Sequence, residues 1–491
     1  MIAGILLFVT ILSTILYFNR AGIINRSLAV LVAPFRVSIG DIDFHRIGEV
    51  TIRDLQLTPK NAVGETPLAS IPETVITYRP RELRDTGKLG SISLRGADIV
   101  LNQEILAALS SKEKEVNEGD APVVERFNLN SLAHFTGNFE ILDSHLTVDL
   151  DSAPTINATW QFHSGPIGFG EDGFNREAIS LILTDLALGP EGKNGHIARL
   201  AANGRVTPDF SSVRIDTLEI DEPRIQITPD LFQKSPPTSP TENGQEGLVA
   251  DSTGSDRPPF DLLLHSLQLN RAEISTSGFG GTLPDLSFET TLPLQDLKFH
   301  DGKWSSGSPI EAVVENVIVG TGKAQLLSAD RIELSAGTLE TLLEEHVVPG
   351  IALHGLDVLL TDASLASFRK NEDDPATTAN PTTAPSEKAT PWTLDKVTLT
   401  DGKVLLRDLT LAGKAGPELQ ASVTARLEDL HFGPEGFVSK ASQTIIVENT
   451  KLRAPGATTA TDPLLSIERA EMVGRWSEFQ KNSLLDRLVI R

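Results

Sequence analysis

Three short sequence elements recur four times along the chain in a fixed order, and this recurrence restricts the possible folds more than any other feature. The element that closes each copy reads ISLRGADIVL at 92–101 and IALHGLDVLL at 351–360. A looser copy lies at 218–227, and a fourth begins at Leu488, just before the chain stops at Arg491. The period is about 130 residues, which is long for a solenoid repeat and indicates a unit of several strands.

The element that opens each copy places apolar or small residues at positions i, i+2, i+5 and i+7, beginning at Val37, Phe139, Leu267 and Val397. Steps of two keep side chains on one face of a strand, whereas a step of three changes the face unless a bulge or a tight turn intervenes. The spacing therefore predicts bent strands with one apolar face. A helical stripe fits the spacing in part, but the β-branched residues and the Gly, Asp and Pro punctuation favour strands.

Between the opening and closing elements lies an Asp-Leu dipeptide, which begins at Asp54, Asp185, Asp296 and Asp429. Short helical insertions are predicted ahead of the closing strands at 80–85, 338–346 and 476–482. Each unit is accordingly expected to be mainly β with a few short helices, and to pack poorly without its neighbours.

The repeats divide the chain into four units at 37–109, 126–232, 260–368 and 392–491. The segments between them, 110–125, 233–259 and 369–391, are rich in Pro, Ser, Thr, Glu and Lys and are predicted to be disordered loops. They are either linkers between domains or loops that leave the rim of one continuous sheet. Because the fourth closing element has only begun at Leu488, we expect unit 4 to be incomplete and the chain to be part of a longer protein.

The N-terminus carries an uncharged apolar run at 2–18, IAGILLFVTILSTILYF, which is about long enough for a tilted transmembrane helix. A cleaved signal peptide is the alternative, but no basic residue precedes the run and no small-x-small site follows it. Residues 1–20 are therefore predicted to be a retained anchor, and 21–36 an interfacial segment. Arg20 and Arg26 alone would favour a cytoplasmic body, although long domains translocate largely regardless of charge.

Composition excludes several function classes. The chain has no cysteine, which rules out disulfides, thiol catalysis and Cys-ligated zinc. Its formal net charge of −23 opposes nucleic acid as a partner. The sequence 168–173 satisfies G-x-G-x-x-G, but no βαβ pattern surrounds it, so a turn between strands is predicted. We expect no enzyme activity, no catalytic residues, no cofactor and no metal, and we interpret His354 and His431 as surface positions.

An amphipathic sheet must cover its apolar face. A second protein layer would give a closed β core, and an apolar ligand would occupy an open trough. The periodicity alone leaves both possibilities open.

The segments VSIGDIDF (37–44), TIRDLQL (51–57) and PLASI (67–71), which lead into ISLRGADI (92–99), make the chain resemble the AsmA family. PLLSI at 463–467 repeats the third of these segments. The resemblance extends to the organisation of nearly the whole chain, including its N-terminal apolar run. It implies a single-pass anchor in the bacterial inner membrane and a body in the periplasm. It also implies an elongated, curled sheet that forms a taco-like groove and carries phospholipid to the outer membrane.

On that reading, phospholipid and the inner membrane are the expected partners, and outer-membrane proteins are a further possible class. The residues predicted to line the groove are the repeated apolar positions of the closing strands: Ile92, Leu94, Ile99, Leu218, Ile220, Ile225, Ile351, Leu353 and Val358.

Two other function classes remain open. The first is an assembly factor for outer-membrane proteins, which has a closed core and presents its strand edges to clients. The second is an extracellular adhesin-like array, which requires a cleaved signal peptide and is distinguished by the N-terminal sequence of the mature protein.

Overall fold

The computed structural model describes most of the repeat region. The described residues are 35–46, 48–59, 67–86, 90–103, 105, 137–150, 155–189, 192–209, 211–229, 261–278, 285–300, 303–320, 325–364, 392–411, 414–433, 436–439, 441–455, 462–475 and 485–491.

Strands dominate these residues, as the repeat predicts. In chain order the first strands are β1 (Phe35–Ser38), β2 (Asp41–Arg46), β3 (Glu49–Pro59), β4 (Ala69–Thr77), β5 (Ser91–Arg95), β6 (Asp98–Asn102), β7 (Phe139–Asp149), β8 (Ile156–Ser164), β9 (Ile179–Leu188), β10 (Gly195–Val206) and β11 (Ser212–Ile227). The remainder are β12 (Asp261–Thr276), β13 (Leu286–His300), β14 (Lys303–Ser306), β15 (Glu311–Val319), β16 (Leu327–Ser335), β17 (Val347–Val348), β18 (Gly350–Leu360), β19 (Trp392–Leu406), β20 (Thr410–Leu411), β21 (Lys414–Ala415), β22 (Glu418–Gly433), β23 (Gly436–Ser439), β24 (Gln443–Arg453), β25 (Leu465–Gly474) and β26 (Arg487–Ile490).

Two short helices have bounds within the described residues, and both match predicted insertions. Helix α1 spans Pro80–Thr86 and helix α2 spans Leu339–Leu343. Thr338 caps α2, because its side chain accepts a hydrogen bond from the Thr341 backbone N–H. The mainly β fold with a few short helices is therefore confirmed.

Hydrogen bonds join 24 strands into one mixed sheet, and β20 and β21 form a separate hairpin. Within the described residues, strand pairs inside a repeat are antiparallel, as in β3 with β4 and β15 with β16. Where one repeat meets the next, β5 and β6 run parallel to β7, and β17 and β18 run parallel to β19. Parallel neighbours need a long connection, and the chain between β6 and β7 and between β18 and β19 is long enough to supply one.

Two compact units divide the chain. The first comprises Met1–Glu219 and Lys234–Leu263, and the second comprises Ile220–Gln233 and Leu264–Arg491. A third parallel joint pairs β11 with β12, and a hydrogen bond at one end of it lies within each unit. In the first unit the Asp261 N–H donates to the Ser211 carbonyl, and in the second the Ser277 N–H donates to the Ile227 carbonyl. Donor and acceptor are the same number of residues apart in both bonds, as parallel strands require.

The predicted bulges in the opening strands are confirmed. Asp143, Arg271 and Asp401 adopt φ angles of 49°, 48° and 55°, which place them in the left-handed region. Pairing of β7 with β8 skips a residue between Ile141 and Ser144, and β19 skips in the same way against β22. A left-handed residue at such a skip keeps the apolar positions before and after it on one face. The first opening element differs, since β1 ends and β2 begins at the kink instead.

The Asp-Leu element is a second left-handed kink. Asp54, Asp185, Asp296 and Asp429 have φ angles of 51°, 51°, 52° and 52°. The leucine that follows is buried in the last three copies and half-buried in the first. Aspartate tolerates this conformation better than most residues, which explains why the element begins with it.

The closing strands bend at Gly96, Glu222 and Gly355, again with positive φ. At the first joint the buried Ser144 hydroxyl accepts from the Ala97 N–H at 3.0 Å and donates to the Leu142 carbonyl at 3.0 Å. Pro223 stands at the position of Ala97 in the next copy, and Ala272 stands at the position of Ser144. Proline has no N–H, so the partner hydroxyl is dispensable there.

The segment 168–173 lies in the connection between β8 and β9, where the Gly170 N–H donates to the Phe174 carbonyl at 2.7 Å. The predicted turn is confirmed. The predicted anchor at 1–20, most of the predicted interfacial segment 21–36, the predicted helix at 476–482 and the predicted loops at 110–125, 233–259 and 369–391 lie outside the described residues. Residues 35 and 36 of the interfacial segment belong to β1. Within the part of the chain described, no helix is both long and apolar enough to cross a membrane.

Candidate apolar binding face

The nine predicted groove residues lie in the closing strands, and four of them belong to the first compact unit and five to the second. Ile92 and Leu94 belong to β5 and Ile99 to β6; Leu218, Ile220 and Ile225 belong to β11; Ile351, Leu353 and Val358 belong to β18. All nine side chains are half-buried. Each set takes part in rows of side chains that run across the strands.

The clearest row in the second unit passes through Leu353. Successive cross-strand partners place one side chain on each of β15, β16, β18, β19, β22, β24, β25 and β26: Val314, Ile332, Leu353, Leu399, Ala425, Ile445, Met472 and Leu488. We call these residues the second-unit row. With strands about 4.8 Å apart, its eight members extend over ~34 Å.

Neighbouring rows on the same face are also apolar. Ile351 lies beside Leu334 and Val397, and Val358 lies beside Leu327 and Val404. The parallel joint of β18 and β19 thus sets apolar residues next to apolar residues on one face.

None of the eight members of the second-unit row is buried. The first seven are half-buried and Leu488 is 52% exposed. A second protein layer packed at the density of a domain core would bury such side chains almost completely. The row therefore keeps apolar surface accessible to a ligand.

The opposite face of the same strands is polar. His354 Nδ1 lies 2.8 Å from Thr400 Oγ1, and Lys403 pairs with Asp357 at 3.6 Å. Arg331 bonds to Glu333 and Glu315, and the hydrogen bond to Glu333 is the main cause that raises the pKa of its guanidinium. Exposed ion pairs contribute little to stability each, but together they form a face suited to water.

The first unit has a corresponding row across β2, β3, β4, β5, β7, β8, β9 and β10: Ile42, Ile52, Thr74, Leu94, Ile141, Phe162, Leu181 and Ala202. We call these residues the first-unit row. It differs from the second-unit row in burial, because Ile42, Thr74 and Ile141 are only 0%, 3% and 7% exposed. Among the described residues, Ile42 also joins Val37 and Ile39 in a buried apolar cluster.

Each unit also has one threonine in line with its row. The buried Thr74 hydroxyl makes no hydrogen bond. Thr290 continues the second-unit row from Val314 onto β13, and its hydroxyl donates to the Val313 carbonyl at 2.8 Å. An unpaired buried hydroxyl is costly, so Thr74 is the less favourable of the two.

Sequence reasoning identified the closing strands but missed most of the row members, which lie in the antiparallel strands between them. Their sequence signal is period-two alternation, as in Ile332 and Leu334 of β16. His354 and His431 contact Thr400 and Asp429 respectively. Within the described ranges, no group of three or more His, Asp or Glu side chains is arranged to hold a metal ion.

No protein-family model matches the chain, and no curated protein matches its sequence. Membership of the AsmA family accordingly remains a prediction from the sequence pattern.

Proposed function

We propose that this chain is an AsmA-like carrier of phospholipid between the bacterial inner and outer membranes, without enzyme activity. Its N-terminal segment would anchor it in the inner membrane, and its periplasmic body would form a curled, groove-like sheet. The apolar face of that sheet would shield acyl chains from water. The observation that carries the proposal is the second-unit row, which crosses eight strands without a buried member.

The proposed mechanism follows from the uniformity of that row. Each methylene group removed from water contributes about 0.8 kcal/mol. Because all eight members of the row are apolar, an acyl chain would meet nearly the same environment at each strand. It would be held without a deep minimum and would move along the face.

A closed-core assembly factor for outer-membrane proteins is the second candidate, and the first unit favours it. Ile42 is fully buried within the cluster that contains Val37 and Ile39. A sheet that closes over its own apolar face in this way has no room for acyl chains.

Lipid extraction from the purified full chain, followed by mass spectrometry, tests the proposal. The wild type should carry phospholipid, and Leu353→Asp should abolish it by placing a charge in the middle of the row. Ala352→Asp is the matched control, because Ala352 is the adjacent residue on the polar face. Its lipid content should stay near that of the wild type.

The two candidates give opposite results. A closed core predicts that no lipid co-purifies with the wild type and that Leu353→Asp unfolds the second unit. Equal lipid content in Leu353→Asp and Ala352→Asp, with both folded, would overturn the role assigned to the row.

A further inference from the structure

Large apolar side chains are exposed together at one end of the second unit. Trp304 is 44% exposed, Leu343 55%, Trp392 43% and Phe432 40%. We call these four residues the aromatic rim. Most large apolar side chains of a folded protein are covered, so a contiguous exposed group indicates a contact surface.

The four residues lie on neighbouring elements. Helix α2, which carries Leu343, is fixed to β14, which carries Trp304: the Leu339 N–H donates to the Ser306 hydroxyl at 2.8 Å. The Glu340 carboxylate accepts from its own N–H and from the Ser306 N–H, and these bonds lower its pKa.

The other half of the rim is built by strand pairing. Trp392 stacks on His346, with ring centroids 4.8 Å apart. It is also the cross-strand partner of Phe432. The rim therefore extends from β14 through α2, β17 and β19 to β22.

The Asp-Leu element explains why the rim stands at the end of the apolar face. Phe432 comes two residues after the buried Leu430, and Phe299 comes two residues after the buried Leu297. Phe299 in turn packs against Trp304, with ring centroids 5.1 Å apart. A step of two keeps each phenylalanine on the face of its buried leucine.

The Asp-Leu elements of the first unit carry Leu57 and Leu188 at the same position, and both are half-buried. Among the four described Asp-Leu elements, an aromatic residue at this position is thus found in the two of the second unit.

We propose that the aromatic rim is a membrane-contact site that rests on the headgroup and ester layer of an electroneutral phospholipid surface. Indole rings favour this layer because they have an apolar body and one polar N–H. Lys303, whose side chain is 82% exposed beside Trp304, pairs with Glu344 at 3.9 Å, and the exposed Glu345 follows Glu344, so this part of the rim has no excess of positive charge. The chain as a whole carries −23, which opposes adsorption to anionic lipid.

The contact deepens the proposed function and rests on it for its role. A rim that touches a bilayer at the end of the apolar face is a place where a phospholipid can pass between the bilayer and the second-unit row. The contact itself depends only on the exposed rim.

Site-directed spin labelling of the full chain in phosphatidylcholine vesicles tests the contact. The chain contains no cysteine, so each introduced cysteine is the single labelling position. Leu343→Cys reports on the rim, Leu399→Cys on the second-unit row, and Thr424→Cys on the exposed polar face. The probe measurements are spin relaxation by oxygen, which partitions into lipid, and by a water-soluble nickel complex.

The rim label should lose nickel relaxation and gain oxygen relaxation, whereas the Thr424 label should remain accessible to nickel. Trp304→Ser combined with Trp392→Ser should return the rim label to the accessibility of the Thr424 label. Both tryptophans are exposed, so an unchanged circular dichroism spectrum is the folding control. A rim label that resembles the Thr424 label in the wild type would overturn the proposal.

Two further outcomes would also overturn it. Protection that persists without vesicles, together with dipolar broadening that disappears when labelled chain is diluted with unlabelled chain, assigns the rim to a second copy. Protection that requires anionic lipid and is lost in high salt assigns it to electrostatic adsorption. The Leu399 label distinguishes failure of the membrane contact from failure of the proposed lipid-carrier function. If the rim label is protected and the Leu399 label is not, only the lipid-carrier function is overturned. If the Leu399 label is protected and the rim label is not, only the membrane contact is overturned.

Discussion

The two units carry the same kind of apolar row across eight strands, but they cover it differently. In the first unit Ile42, Thr74 and Ile141 are buried, and Ile42 belongs to a closed apolar cluster. In the second unit no member of the row is buried, and Leu488 is 52% exposed. The repeat therefore determines that the sheet is amphipathic, whereas the covering of its apolar face differs between the units.

This difference in burial indicates different roles for the two units. Buried side chains contribute most of their transfer free energy to folding, and half-buried ones retain part of it for a ligand. The first unit therefore resembles a conventional core at its N-terminal strands, and the second unit is the better candidate for lipid. The exposed aromatic rim lies in the second unit as well, at the end of the same face.

The largest expected effect comes from an isoleucine truncation in each row. Ile42→Ala should destabilise the first unit by about 3–4 kcal/mol, because it leaves a cavity in a closed cluster. Ile332→Ala should destabilise the second unit by only about 1–2 kcal/mol, because part of the side chain already faces solvent. Urea unfolding followed by tryptophan fluorescence measures both losses of stability. Trp160 reports on the first unit, and Trp304 and Trp392 report on the second.

If Ile42→Ala and Ile332→Ala lower the free energy of unfolding equally, the proposed difference between the two units is wrong. Equal losses would mean that the second-unit row is covered in solution as fully as the first. Addition of phosphatidylcholine provides a second test of the difference. A ligand that binds only the folded state stabilises that state, so lipid that binds the second-unit row should stabilise the wild-type second unit more than the first.

The parallel joints provide the next prediction. Ser144→Ala should cost the first unit about 1–3 kcal/mol, because the buried Ala97 N–H loses its acceptor. Adding Ala97→Pro should recover part of that loss by removing the N–H, as Pro223 does in the second unit.

The reverse change serves as the control for the joints. Ala272→Ser places a hydroxyl at the buried position that corresponds to Ser144, and Pro223 has no N–H to donate to it. It should destabilise the second unit, and thermal unfolding of the three variants and the wild type measures each change in stability. If Ala272→Ser stabilised the second unit, hydrogen bonding would not explain why Ser144 and Ala97 of the first joint are replaced by Ala272 and Pro223 in the next.

Much of the local structure follows from the sequence, and the register does not. The step from i+2 to i+5 predicted bulges in the opening strands, and Asp143, Arg271 and Asp401 form them. The Asp-Leu element was recognised as a repeat, but its left-handed aspartate depends on a backbone angle that no spacing shows. Parallel joints and row partners depend on which strands pair, and long-range pairing leaves no local signal. The rim escaped prediction for the same reason, because only pairing brings Trp392 beside Phe432.

The smallest expected effect concerns the threonine in line with each row. Thr74→Val should stabilise the first unit by about 1 kcal/mol, because it removes a buried hydroxyl that has no partner. Thr290→Val should destabilise the second unit by about 1 kcal/mol, because it removes the hydrogen bond to the Val313 carbonyl. Opposite signs in urea unfolding would confirm that the two rows differ in how they satisfy polar groups as well as in how they are covered. A loss of stability in Thr74→Val would instead show that its hydroxyl has a partner in solution, and the first-unit row would then be less closed than its burial indicates.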